Sequence, residues 1–111
     1  MNNVVSFIKP SHKAEIAVLC WALCGTKPEF TDFIQQLQRS DFTIPKHQVI
    51  FEAVKWLLDQ EEPLDIITVA DRLDATGKLD EAGGRVYLMN LAMSAFQDED
   101  IEKVVKTLLH Q

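Results

Sequence analysis

Apolar residues recur at helical spacing along most of this chain, most clearly in the stretch Pro45–Asp59. The polar residues of this stretch fall on one narrow stripe at 3.6 residues per turn: Gln48, Glu52, Lys55 and Asp59. Pro45 suits the first helical turn, because a proline has no N–H to lose there. So wide an apolar face predicts either the central helix of a small bundle or a helix that serves a core and an interface together.

Two shorter helices are predicted before this stretch. Ser11 is a suitable N-cap for a helix over residues 12–24, and Gly25 can end that helix in the left-handed conformation. A second helix is predicted over residues 31–38. Its buried face would comprise Phe33, Ile34 and Leu37.

Three more helices are predicted after the central one. Asp65 is placed to cap the first and Gly77 to end it, while Gly83-Gly84 permits a tight bend before the second. The third would begin at the acidic run 98–100 and bury the stripe Ile101, Val104, Val105 and Leu108. No segment shows sustained period-two alternation. The predicted fold class is therefore all-α, a compact bundle of about six short helices.

The periodicity also separates a candidate core from a candidate interface. The predicted core residues are Leu19, Leu37, Phe42, Ile50, Phe51, Val54, Leu57, Val69, Leu73, Tyr87, Leu88 and Leu91. The candidate interface residues are Trp21, Val18, Trp56 and Val49. The two tryptophans are the proposed anchors, because large amphipathic rings are enriched at protein contacts. The apolar run 16–24 favours a pairing surface, but for Ile16, Leu19, Cys20 and Leu23 within it a buried core helix is at least as good an interpretation.

Composition indicates one domain of 111 residues, with a flexible leader over residues 1–9 and a helical head over residues 10–111. The longest apolar run, 16–24, is half the length that a bilayer span needs, so we expect a cytoplasmic protein without a membrane partner. The net charge is −6, from 11 basic and 17 acidic residues, which disfavours direct nucleic-acid binding. Acidic residues crowd the second half, as a solvated face or as a docking surface for a basic partner.

Candidate chemistry is sparse. Cys20 and Cys24 lie one helical turn apart, which suits a disulfide poorly, and we expect two reduced, buried thiols. The three histidines are scattered rather than spaced as metal ligands, and a role at the helix start or in packing is expected for His47. Phosphate-binding loops, nucleophile elbows and zinc-protease motifs are missing from the sequence. We therefore predict no catalytic, cofactor or metal site.

An ordered set of short motifs identifies a family resemblance. These are Asp41-Phe42, Pro45, His47, Ile50 and Phe51, then Pro63, Asp65 and Thr68, then Gly77, Leu79, Gly83, Gly84, Tyr87 and Leu88. Upstream, Pro10-Ser11, Ala14-Glu15 and Val18-Leu19 fit the same pattern. In this order and spacing the chain resembles the N-terminal domain of the bacterial replicative DNA helicases of the DnaB family, from about Pro10 to Leu109.

The resemblance implies a non-catalytic, all-helical domain that acts in DNA replication. Such domains pair with one another in a collar, where primase and helicase loaders dock, and the ATPase motor belongs to a separate domain. The implied partners are a second copy of the chain, a replicative helicase, a primase or a loader. The alternative is a natural stand-alone mimic of the helicase head that binds a helicase or primase as loader, adaptor or inhibitor.

Overall fold

The structure, a computed structural model, describes residues 12–24 and 28–94, and all the regular structure within these ranges is helical. The five α-helices and one 3₁₀ helix are α1 (His12–Leu23), α2 (Pro28–Gln35), the 3₁₀ helix Arg39–Asp41, α3 (Pro45–Asp59), α4 (Ile66–Ala75) and α5 (Gly84–Ala92). The all-α class predicted from periodicity is therefore confirmed over the described ranges. The predicted leader, Ser11, Gly25 and the last predicted helix lie outside them.

The helix α3 is the centre of the bundle, with the bounds that its sequence pattern predicts. It packs against α1, α2, α4 and the 3₁₀ helix. Its buried face includes Ile50, Phe51 and Val54, and the Phe51 ring lies 4.7 Å from the Phe42 ring between centroids. Because α3 has neighbours on several sides, its wide apolar face is needed for the core itself.

The helix α1 is enclosed on all sides, since every residue from 17 to 23 is buried. It packs against α5 and α3. Val18 and Trp21, proposed above as interface residues, therefore belong to the core, as does Val49 on α3. Cys20 is buried as expected, whereas Cys24 is exposed because it follows the last residue of the helix.

The ends of α4 follow from its sequence. The Asp65 carboxylate accepts a hydrogen bond of 2.9 Å from the Thr68 N–H, and the Thr68 hydroxyl oxygen accepts one of 3.0 Å from the Asp65 N–H. At the other end Gly77 has φ of +71°, and the Lys78 N–H donates to the Leu73 carbonyl at 2.8 Å. A capping box therefore starts the helix and a Schellman motif ends it, so the predicted cap and stop are both present.

The helix α2 differs from its prediction by about one turn. It begins at Pro28, because proline suits the first helical position, and it ends at Gln35 instead of reaching residue 38. The Lys55 ammonium donates to the carbonyls of Gln35 and Leu37 at 3.0 and 2.9 Å, which satisfies acceptors that a longer helix would have bonded internally. Leu37 is nonetheless fully buried beyond the helix end.

The residues predicted as core lie inside the bundle, with one partial exception. Tyr87 is half-buried. The others are no more than 4% exposed: Leu19, Leu37, Phe42, Ile50, Phe51, Val54, Leu57, Val69, Leu73, Leu88 and Leu91.

Candidate functional site: a buried polar network and two surface regions

A chain of polar side chains crosses the apolar core and joins three helices. Glu15 on α1 and His47 on α3 are both completely buried. The His47 Nδ1 lies 2.9 Å from the Glu15 Oε1, and its Nε2 lies 2.7 Å from the Tyr87 hydroxyl on α5. An ionised carboxylate can only accept, so Nδ1 carries a hydrogen and donates it to Glu15. The Tyr87 hydroxyl donates to Nε2 when the ring is neutral and accepts from it when the ring is protonated.

The second oxygen of Glu15 is also satisfied. Its Oε2 accepts from the Thr43 N–H at 2.9 Å and from the Thr43 hydroxyl at 2.6 Å. Within the described part of the chain, every buried side-chain nitrogen or oxygen has a hydrogen-bond partner. A network with all its members satisfied adds rigidity, whereas the loss of one member leaves a costly unpaired polar group.

Burial and hydrogen bonding act on the Glu15 carboxyl in opposite directions. Desolvation raises its pKa, but the hydrogen bonds from Thr43 and His47, with the charge interaction with His47, outweigh that effect. The pKa of Glu15 is therefore lower than its ordinary value, and the group stays ionised. Burial, with a smaller contribution from the Glu15 charge, raises the pKa of the Tyr87 phenol.

This network has the carboxylate, imidazole and hydroxyl order of a hydrolase triad but not its accessibility. Glu15 and His47 have no exposed surface, so a substrate could not reach them. The network is therefore an anchor between α1, α3 and α5. Only part of it was foreseen, since the sequence predicted no more than a helix-start or packing role for His47. The missed signal was spacing, because His47 shares one helical face with the buried Ile50 and Val54.

The first surface region contains Trp56, the one candidate interface residue that is exposed, at 37%. The guanidinium of Arg72 lies 3.7 Å from the centroid of its ring, a cation–π stack. An open groove of about 360 Å³ runs beside it, lined by Gln38, Arg39, Phe51, Glu52, Lys55, Trp56 and Asp59. The Arg39–Glu52 ion pair, at 2.9 Å, forms part of that lining.

The second surface region was not predicted from the sequence. Four large apolar side chains on α4, on α5 and at the residue after α5 are between 51% and 74% exposed: Ile67, Val86, Met89 and Met93. Ile67 and Met89 line a common groove of about 250 Å³, which is almost wholly apolar. Such a region on a small protein is typical of a contact surface.

Neither region offers metal chemistry. Among residues 12–24 and 28–94, His, Cys, Asp and Glu side chains do not gather in threes as a metal ion would require. Over the same ranges, every helix is too short or too polar to cross a bilayer.

Comparisons with known proteins agree on one family. The model for the DnaB-like helicase N terminal domain matches residues 8–110. The replicative DNA helicase DnaB of Leifsonia xyli subsp. xyli is 39% identical over 66 residues, which cover 60% of this chain and 14% of that protein. The replicative DNA helicase DnaB of Mycobacterium leprae is 38% identical over 78 residues, which cover 70% of this chain and 13% of that protein.

A solved structure gives the same answer for the fold. The crystal structure of the N-terminal domain of DnaB helicase from Mycobacterium tuberculosis superimposes with a TM-score of 0.73 at 28% identity, covering 90% of this chain and 69% of that one. The match is to the N-terminal domain and not to the ATPase motor, and this chain spans about 14% of the length of the first of these helicases. With a family match over nearly its whole length, the chain belongs to the DnaB-like helicase N-terminal domains.

Proposed function

We propose that this chain is a non-catalytic protein–protein interaction domain of DNA replication, which self-associates and docks a primase or a helicase loader. The observation that carries the proposal is the surface formed by Ile67, Val86, Met89 and Met93 in a member of a helicase N-terminal family. Exposed apolar side chains cost solubility, and grouping them on neighbouring helices is useful when a partner covers them.

The chemistry of the interior supports a binding role over a catalytic one. The most reactive group of side chains, Glu15, His47 and Tyr87, is used to hold three helices together. The pairing of a rigid core with an apolar surface is what a docking domain requires, because a preorganised surface loses little entropy on binding.

The first experiment measures self-association and partner binding with the intact chain. Sedimentation at about 100 µM should show a dimer or a larger assembly, and titration with a replicative helicase and a primase should show binding to at least one. A chain that stays monomeric and binds neither protein would overturn the proposal. Gln36→Glu, which adds one charge at an exposed position outside both surface regions, serves as a matched control.

The alternative of a stand-alone mimic predicts the same contacts on a separate polypeptide. The apolar run 16–24, which favoured a pairing surface under either function, does not separate them, and its residues from 17 to 23 are enclosed within the bundle. The mass of the native polypeptide in its source cell separates the two functions. A mass several times that of this chain indicates a helicase collar, and a mass equal to it indicates a mimic.

A further inference from the structure

The exposed apolar residues of α5 form a regular stripe. Val86, Met89 and Met93 follow the spacing i, i+3 and i+7, so they lie on one side of the helix. Their exposure contrasts with Leu88 and Leu91, which are buried on the opposite side. We call Ile67, Val86, Met89 and Met93 together the α4–α5 face.

The groove on this face has the form that a helix needs. It lies between α4 and α5, and its apolar lining combines Ile66, Ile67 and Ala70 with Leu88 and Met89. A groove between two helices accepts the apolar edge of a third helix, as in known complexes of amphipathic peptides. Methionine favours such binding, because its unbranched side chain adapts to the partner.

The rim of the groove carries two acidic side chains beside Arg85, the one charged residue that lines the groove. Asp71 and Asp74 follow Ile67 on α4 at the spacing i+4 and i+7, and their side chains are more than two-thirds exposed. Their cationic neighbour Arg85 is 3.8 and 3.9 Å away, which is too long for strong hydrogen-bonded ion pairs. Two carboxylates against one guanidinium leave this rim negative, in a chain of net charge −6.

We propose that the α4–α5 face binds an amphipathic helix of another protein whose apolar stripe is flanked by Lys or Arg. The inference rests on the proposed function and gives it a surface and a partner chemistry. A second copy of this chain fits less well, because it would bring the same acidic rim and a further net charge of −6 to the contact.

Two synthetic peptides of about 18 residues, long enough to form a helix, test this directly. Both carry Leu at positions three and four apart, and the other positions are Lys in one peptide and Glu in the other. We expect the full chain to bind the Lys peptide at least about tenfold more tightly than the Glu peptide, with an affinity that falls as salt is raised. Equal affinities, or no binding of either peptide, would overturn the proposal.

Single substitutions test whether the Lys peptide binds at the α4–α5 face. Met89→Glu should lower the affinity for the Lys peptide by about tenfold. Gln36→Glu adds the same charge elsewhere and should leave that affinity unchanged. Both positions are exposed, so both variants should fold, and circular dichroism checks this. If Met89→Glu fails to fold, Val86→Glu at a more exposed position of the same stripe replaces it. Undiminished binding by the folded variant would contradict the assignment.

The same variants separate this inference from the proposed function. If Met89→Glu binds a helicase or primase as the unchanged chain does, the domain still docks partners and the α4–α5 face is not the site. If the chain binds neither the helicase nor the primase but binds the Lys peptide through Met89, the α4–α5 face is confirmed as a binding site and the proposed role in replication is contradicted. The chain could also form a dimer that Met89→Glu dissociates and that the Lys peptide does not disrupt. That result would assign the face to a second copy and overturn the inference.

Discussion

Glu15 is an unusual buried side chain, because it keeps a charge inside an apolar bundle. Four hydrogen-bonding groups make this possible: the Thr43 N–H and hydroxyl on one oxygen, His47 on the other, and Tyr87 behind His47. Such an arrangement stabilises the fold only while it is complete. Every substitution within it is therefore expected to cost more than the hydrogen bond that it removes.

Glu15→Ala should lower the free energy of unfolding by about 3 to 5 kcal/mol, because it leaves the completely buried His47 without its acceptor and also removes the acceptor of Thr43. Urea denaturation measures the change. Glu52→Ala is the control, since it removes an exposed ion pair to Arg39 and should cost less than about 1 kcal/mol. Similar losses for both variants would show that Glu15 is not the anchor described above.

The lowered pKa of Glu15 predicts an acid-sensitive fold. A carboxyl whose pKa is lower in the folded chain than in the unfolded chain stabilises the fold above its unfolded value, here near 4.5. That contribution is lost as the pH falls from 4.5 through the folded pKa. Glu15→Gln should show a weaker dependence of stability on pH below 4.5, as measured by urea midpoints at a series of pH values. An unchanged dependence would assign the acid sensitivity to other carboxyls.

At the scale of single elements, the helix ends are the features that sequence determines best. The starts of α3 and α4 and the end of α4 depend on neighbouring residues such as Pro45, Asp65 and Gly77, so local reasoning predicted them. The 3₁₀ helix Arg39–Asp41 and the early end of α2 were not predicted. The end of α2 is bonded by Lys55, which is distant in sequence and becomes a neighbour only in the folded chain. The 3₁₀ helix has a local cap, in which the Gln38 N–H donates to the Asp41 carboxylate at 2.8 Å.

Two glycines should respond differently to alanine. Gly77→Ala imposes a positive φ of 71° on alanine but meets open space, and it should cost about 1 to 2 kcal/mol. Gly83→Ala has φ of +98° and would also place Cβ only 2.8 Å from the Tyr87 Cβ, so it should cost more. Thermal and urea unfolding rank the two variants. A larger loss for Gly77→Ala would contradict the close packing at the start of α5.

At the scale of the whole molecule, an apolar residue can face a core or a partner, and a helical pattern alone does not distinguish the two. The sequence placed Trp21 and Val18 at a candidate interface and missed the α4–α5 face. The apolar residues of α1 surround that helix because it is enclosed, whereas Val86, Met89 and Met93 lie outside because no described helix covers them. Only the arrangement of the helices determines which stripe stays exposed.

The two tryptophans test this assignment. Trp21→Glu should unfold the domain, because it would bury a charge within a helix that is enclosed on all sides. Trp56→Glu should leave a folded protein, since the indole is partly exposed and loses chiefly its stack on Arg72. Circular dichroism and a melting curve distinguish the outcomes. A folded Trp21→Glu variant would contradict the assignment of Trp21 to the core and support its place at the surface.

Tyr87 is the chain's single tyrosine, and its hydroxyl ends the network that begins at Glu15 on α1. The groups joined in that network are 32 and 40 positions apart in sequence, so the hydroxyl meets His47 only when α1, α3 and α5 have docked together. Because burial raises its pKa, the phenol should ionise at a higher pH in the folded chain than in the unfolded one. At a pH near 10, where the unfolded phenol ionises, the phenolate absorbance of this one ring is thus a built-in optical reporter of the assembled bundle, readable without any added label.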